Sequence, residues 1–557
     1  MKKLLFPVLA LLLLLNCGGK KANDTMKAQG LIDSLTQAIE PLNKAVALAS
    51  WNASTTGEDK YYAESAEISI RIDKILSDKV VYEKLKSLHD SPSIKDPLLK
   101  RQVESLYLGF LSKQVDEVLL NQITELQTRI EQKFNTFRSK IDGREYSGND
   151  LKEIFQTETN NTKRKAAWEA SKQVGPVIAE DVIRLVKLKN EAARQVGFDN
   201  YYEMQLIVGE QDPDVVLSIF DELDEATREP YLHLKSEIDA FLAARYGIKV
   251  TEMKPWHYAD PFFQEAPVIT PVSLDKYYKD QDVVELARKF YSGIGLNVES
   301  ILDNSDLYER DKKYPHAFCT NIDRKGDVRI IENVRPNESW MATTLHELGH
   351  GVYDLYLDPD LPYFLRQPAH SFTTEGVAMF FEKMSKNPEW MQQMIGISDE
   401  EKEMLGDVTQ KTLKIEQMVF SRWSQVMMRF ERALYENPDQ DLNSVWWDLV
   451  EKYQMVSRPE NRNMPDWAAK IHIDLYPAYY HNYTLGALQA SQLMYTIARE
   501  QGLESIMDIQ FANNPEIGQF FLEKIFKPGN RYPWNEMIER ATGEKLTARY
   551  FVMQFGS

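Results

Sequence analysis

The chain has 557 residues, with 66 Lys and Arg against 84 Asp and Glu, a formal net charge of −18 and two cysteines. Apolar residues make up 43% and charged residues 27%, an ordinary globular balance that argues against disorder for the bulk of the chain. Two thiols cannot build a disulfide scaffold, and the acidic balance argues against a nucleic-acid surface, which needs clustered positive charge.

The first residues read as a leader rather than as part of the fold. Lys2 and Lys3 form a positive start, and Leu4 to Leu15 is an apolar run of twelve residues. A bilayer-spanning helix needs about 20 residues, whereas a signal sequence needs fewer. The run ends at Leu14-Leu15-Asn16-Cys17-Gly18, which resembles the bacterial lipobox, in which the cysteine becomes the lipidated first residue. The expectation is a signal peptide over 1–16, then lipidation at Cys17 and a flexible tether over 17–30 carrying Lys20, Lys21, Asn23 and Asp24. A membrane anchor on Cys17 at the bacterial envelope follows from it. Plain secretion and an uncut anchor are the competing readings.

Beyond the tether the pattern is mostly helical. Leu31, Leu35, Ile39 and Leu42 recur at helical spacing, and Pro41 suggests a kink or an end. Leu119 to Ile141 has apolar residues at three- and four-residue steps. Gly175-Pro176 precedes a helix over about Ala179 to Val196, and Gly197 stops it. Pro255 to Pro271 reads as a long connection. His316 to Ile322 and Asp327 to Val334 flank the turn Asp323-Arg324-Lys325-Gly326, which predicts an antiparallel hairpin. Ser398-Asp399-Glu400-Glu401 is an N-cap followed by an acidic first turn, a helix start.

His346-Glu347-Leu348-Gly349-His350 carries the chemistry. On a helix, positions i and i+4 share a face, so both imidazoles reach one zinc ion and Glu347 stands beside a water there. Asn337-Glu338 offers the helix start, and Met341, Leu345, Leu348 and Val352 its apolar face. Zinc needs a third protein ligand with a fourth position open. Glu375, in Thr373-Thr374-Glu375-Gly376, is the candidate. The competing reading is a chance pattern on a core helix. Asp354, one turn past His350, is either a hydrogen-bond partner to a ligand or a solvated side chain.

The likeness to a known family extends beyond this motif. Trp51-Asn52, Trp168-Glu169-Ala170-Ser171, Leu188 to Ala193, His316-Ala317, Gly326 to Ile330, Trp446 to Leu449 and Ala469-Lys470-Ile471-His472-Ile473 form scattered islands over nearly all of the chain. In them the sequence resembles the angiotensin-converting enzyme (peptidyl-dipeptidase A) family of zinc peptidases. The tyrosine-rich stretch Tyr476 to Tyr483 is shared with related oligopeptidases.

The resemblance implies an all-α fold, a two-lobed helical ellipsoid with a deep central cleft and a small antiparallel β element, spanning residues 31–557 as one peptidase domain. It implies zinc on His346, His350 and Glu375, with Glu347 as the base. His472 and Tyr483 match the residues that stabilise the intermediate. Lys470, Tyr480 and Gln264 match the three groups that hold the substrate's C-terminal carboxylate, and His316 and Ala317 match positions that bind the peptide backbone. From His472 to the tyrosine pair the gap is one residue longer than the family's. The bland reading makes Tyr476 to Tyr483 an aromatic core face and Lys470 a solvated lysine.

The family's chloride-binding arginines fall on Val450 and Asn482, and its usual carboxylate one turn after the third ligand falls on Met379. The expected activity is release of C-terminal dipeptides from oligopeptides by a monomer. A thimet-like endo-acting oligopeptidase and a non-catalytic binding lipoprotein are the alternatives.

Overall fold

The computed structural model describes residues 9–269 and 273–556, with side chains from residue 24 onward. Residues 1–8 of the expected leader and the side chain of Cys17 lie outside the described residues. Among the described residues the fold is all-α apart from two short antiparallel hairpins. Among the described residues no helix is long and apolar enough to cross a membrane.

The first helix runs Leu9–Thr56 and passes through Pro41. Residues 24–30, expected as tether, continue this helix. The reason lies in packing. Ala28, Ile32, Leu35 and Ile39 fall on one face and are buried against Leu85, Leu88, Val103 and Phe110. Ile39 and Leu42 are buried on either side of Pro41, and their packing offsets the lost backbone hydrogen bond.

The stretch expected as helix to Ile141 ends earlier, at Glu117–Thr136. Asp142 and Gly143 both have positive φ, 51° and 79°, as a tight hairpin turn requires. They fold Ser139–Ile141 back on Arg144–Tyr146. The helix expected after Gly175 runs Gly175–Gln195, with Pro176 in its first turn. Ser398 caps the 38-residue helix Asp399–Glu436 through a reciprocal hydrogen-bond pair with Glu401.

The second hairpin pairs Phe318–Asn321 with Val328–Ile331, in register Phe318↔Ile331 and Asn321↔Val328. The strand Val328–Ile331 is the inner one, because Asp306 bridges its far side at Ile331. Behind the hairpin lies the helix Glu338–Leu355, started by Asn337, whose side chain accepts from the Trp340 N–H. Its apolar face, Met341, Leu345, Leu348 and Val352, is fully buried in a core that runs from Leu119 to Phe555. The partner helix Ser371–Glu382 buries Phe372, Val377, Phe380 and Phe381 in the same core. Between the two helices His346 pairs with Glu382 and His350 with Thr374.

Candidate metal centre

The two site helices approach closely because small residues meet at the crossing. A Cβ on Gly349 would stand 2.9 Å from the Ala378 Cα. A third helix, His481–Glu500, closes the group. There Gly486 leaves room for Glu375, whose Cβ would lie 3.2 Å from a Cβ at that position. Glu375 lies inside the second helix, which His370 caps and which begins at Ser371.

His346, His350 and Glu375 offer ligand atoms that all lie within 4.8 Å of one another. The His346 Nδ1 pairs with Glu382 Oε2 at 2.8 Å, and the His350 Nδ1 with Thr374 Oγ1 at 2.7 Å. Both Nδ1 atoms being engaged, the two Nε2 atoms face each other at 3.2 Å, with Glu375 oxygens 3.6 and 3.9 Å away. Two imidazole nitrogens and a carboxylate so placed, each ring oriented by a partner on its other nitrogen, suit a zinc ion. The side chains are 16–21% exposed, so the set opens to solvent on one side.

Glu382 stands where sequence reasoning found only Met379. It lies seven residues after Glu375, two turns along the same face, and a search at i+7 would have found it. Asp354 is not the partner of His350; it faces the hairpin, beside Asn321 and Arg324.

Electrostatics sort the groups. Burial pulls the His346 imidazolium down, but Glu382, with Glu347 and Glu375, reverses this and carries it up to about 9. Burial and the neighbouring His346 charge lower His350 to about 3. Burial raises Glu347 to about 7 against the pull of His346, with Glu375 and Glu382 adding to the rise and the Cys319 N–H opposing it. That hydrogen bond ties the base to the hairpin strand.

A second constellation forms around Lys470. Its Nζ donates to Gln264 Oε1 at 2.6 Å and lies 5.4 to 5.8 Å from the ring centres of Tyr480, Trp423 and Phe262. Burial lowers its pKa to about 8. It is therefore not a solvated lysine. The Tyr480 hydroxyl accepts from the Trp423 indole N–H at 2.8 Å. Gln264 is presented by a loop wound round Asp260, whose carboxylate accepts the N–H groups of Phe262, Gln264 and Glu265 at 2.8–2.9 Å. Sequence reasoning missed Asp260 as an organiser, although Asp followed by four loop residues is an Asx-type signal.

His472 stacks edge-on to Tyr480 at 5.1 Å, and burial lowers its pKa to about 4. Its Nδ1 is buried without a hydrogen-bond partner among the described residues. Tyr479 and Tyr483 hydrogen-bond each other. Burial raises both, and the Glu375 charge adds to the rise, so the tyrosine pair stands on the metal side. The loop before them turns at Ala478, φ 54°, whose N–H donates to the buried Glu431. His316 is exposed and Ala317 half-buried, directly before the strand Phe318–Asn321. Val450 is buried, and Asn482 accepts from Gln211 at 2.8 Å.

The fold and this histidine–glutamate set define a helical zinc metallopeptidase. Residues 154–557 match the model of peptidase family M3, and residues 22–257 match that of angiotensin-converting enzyme. The chain belongs to peptidase family M3, and its N-terminal part also resembles angiotensin-converting enzyme. It is 21% identical over 450 residues to the angiotensin-converting enzyme-like protein Ace3 of Mus musculus, covering 73% of this chain and 59% of that protein. It is 26% identical over 245 residues to an angiotensin-converting enzyme of Theromyzon tessulatum, covering 42% of this chain and 39% of that one. To thermostable carboxypeptidase 1 of Pyrococcus furiosus it is 23% identical over 439 residues, covering 72% of this chain and 78% of that protein. The chain thus spans well under two thirds of the length of the two animal relatives.

Proposed function

We propose that the protein is a zinc-dependent peptidyl-dipeptidase that removes C-terminal dipeptides from oligopeptides. The observation that carries the reading is the Lys470–Gln264 contact at 2.6 Å beside Tyr480, a part-buried ammonium of the kind that pairs with a carboxylate. An ammonium among aromatics, hydrogen-bonded to an amide oxygen, suits a chain terminus better than a mid-chain peptide group, even with the Asp260 and Glu265 charges acting on it.

Zinc held by His346, His350 and Glu375 would supply Lewis acidity at the scissile carbonyl and acidify a water. The residues do the rest. Glu347, poised near neutrality, takes the proton of the attacking water and passes it to the leaving amine. His472, through its unpartnered Nδ1, and the Tyr483 hydroxyl donate to the developing oxyanion. The outer edge of Phe318–Asn321, entered through His316 and Ala317, holds the peptide as an added strand.

Lys470→Met tests the anchor. It is expected to raise KM for free-acid peptides by at least about tenfold, the loss of one charge-assisted hydrogen bond. KM for C-terminally amidated peptides should stay unchanged. Equal effects on both would refute the anchor.

A second reading has support too. The match to family M3 over residues 154–557 favours an endo-acting oligopeptidase, and the Pyrococcus relative is named a carboxypeptidase. We further propose attachment at the bacterial envelope through Cys17, supported by Lys2, Lys3 and the apolar run before the cysteine. Metabolic labelling with a palmitate analogue, lost in Cys17→Ala, tests it.

A further inference from the structure

A separate cavity of about 560 Å³ lies between the end of the helix Ser371–Glu382 and the helices Pro213–Tyr246 and Asp399–Glu436. It shares no residue with the metal set or with the Lys470 cluster. Its wall carries four lysines, 383, 386, 411 and 414, against the acids Glu237 and Asp407. Three of these lysines are answered, Lys414 among them. Lys386 pairs with Glu416 at 3.1 Å and Lys411 with Glu237 at 3.1 Å.

Lys383 is different. Its Nζ is buried and has no hydrogen-bond partner among the described residues; the nearest ring, Phe555, is 5.3 Å away. On the same wall the Gln554 Oε1 is also buried and unpartnered. A buried ammonium without an acceptor is costly, and two orphaned polar groups on one cavity wall point to a missing ligand. The rest of the wall is apolar and adaptable, with Leu234, Met384, Met494, Phe511 and Phe555. A bare inorganic anion would satisfy Lys383 and leave most of this volume and surface unused.

We propose that this cavity binds a small amphipathic organic carboxylate, its carboxylate on Lys383, an N–H or O–H on Gln554 and its apolar body against the methionines and phenylalanines. The site is independent of the peptidase reading, so its test needs no turnover. Lys383 directly follows Glu382, the residue that holds His346, so a bound ligand sits one residue from the metal-orienting contact.

The test is calorimetric titration of the full chain with indole-3-propionate, with its neutral amide and with sodium sulfate. The site should bind the carboxylate with Kd below about 1 mM, and the amide at least about tenfold more weakly. Lys383→Met fills the same space without charge and should lose the preference for carboxylate over amide. Equal binding of carboxylate and amide, no saturable binding, or sulfate binding as tightly as the indole acid would each overturn the proposal. If Lys383→Met fails to fold by circular dichroism, the wild-type carboxylate-to-amide ratio still decides it.

Discussion

In the proposed mechanism the chemistry turns on Glu347. It is buried, tied to the Cys319 N–H and surrounded by the ligand set, while contributing no ligand atom to that set. Glu347→Gln should therefore keep stoichiometric zinc, measured by atomic absorption, and lose turnover by at least about a thousandfold. Retained activity would show that the base lies elsewhere. Glu382 acts one contact further out. Glu382→Gln should weaken zinc about 10- to 100-fold in a chelator competition, because His346 loses its orienting carboxylate. Glu431 gives a prediction about stability. Burial raises it to about 8 in the folded chain, against the Ala478 N–H and Lys189, and its ordinary value is 4.5. Between those values the unfolded chain ionises and the folded one does not. Its contribution is thus full below about 4.5 and lost as pH rises to about 8. Urea unfolding from pH 5 to 8 should show a fall in stability that Glu431→Gln flattens. The histidine pair and Glu347 were legible in the sequence because their relation is local, one helical turn. Glu382, Thr374 and Asp260 were not, since their roles depend on which elements pack together.

The helix pair Glu338–Leu355 and Ser371–Glu382 is the element that makes the site, and glycine sets its spacing. Gly349→Ala would drive a methyl to 2.9 Å from the Ala378 Cα. It should cost about 1–3 kcal/mol in urea unfolding, and zinc affinity should fall with it as Glu375 moves away. Gly406, inside the helix Asp399–Glu436, is surrounded by open space, and a methyl added there would meet nothing within 4 Å. Gly406→Ala should therefore stabilise by about 0.5–1 kcal/mol without touching zinc binding. Helix starts marked by Asn337 and Ser398 could be read directly, as capping is a local interaction. The hairpin Ser139–Ile141 with Arg144–Tyr146 escaped the helical periodicity that precedes it, although Asp142-Gly143 carried the turn signal. The helical course of residues 24–30 escaped as well. Its cause is burial of Ala28 against a helix pair more than fifty residues away in the sequence.

At the scale of the molecule, a single core from Leu119 to Phe555 fixes the metal set, the hairpin edge and the Lys470 cluster relative to one another. The charge of −18 selects no substrate; under the proposed function, the part-buried Lys470 ammonium selects one end of a peptide. The islands of family resemblance reported this assembly more fully than periodicity could. They named Gln264, Lys470 and Tyr480; the first lies more than 200 residues from the other two in sequence, yet all three meet at one contact. The proposed activity stands or falls on where that contact places the cut. The decisive measurement is mass spectrometry of the products of one decapeptide over time, as free acid and as C-terminal amide, with a chelator control. A peptidyl-dipeptidase should shorten the free acid two residues at a time from the C-terminus, act markedly more slowly on the amide, and cleave nothing with chelator. Single-residue steps, or internal cuts made equally fast in the free acid and the amide, would contradict it.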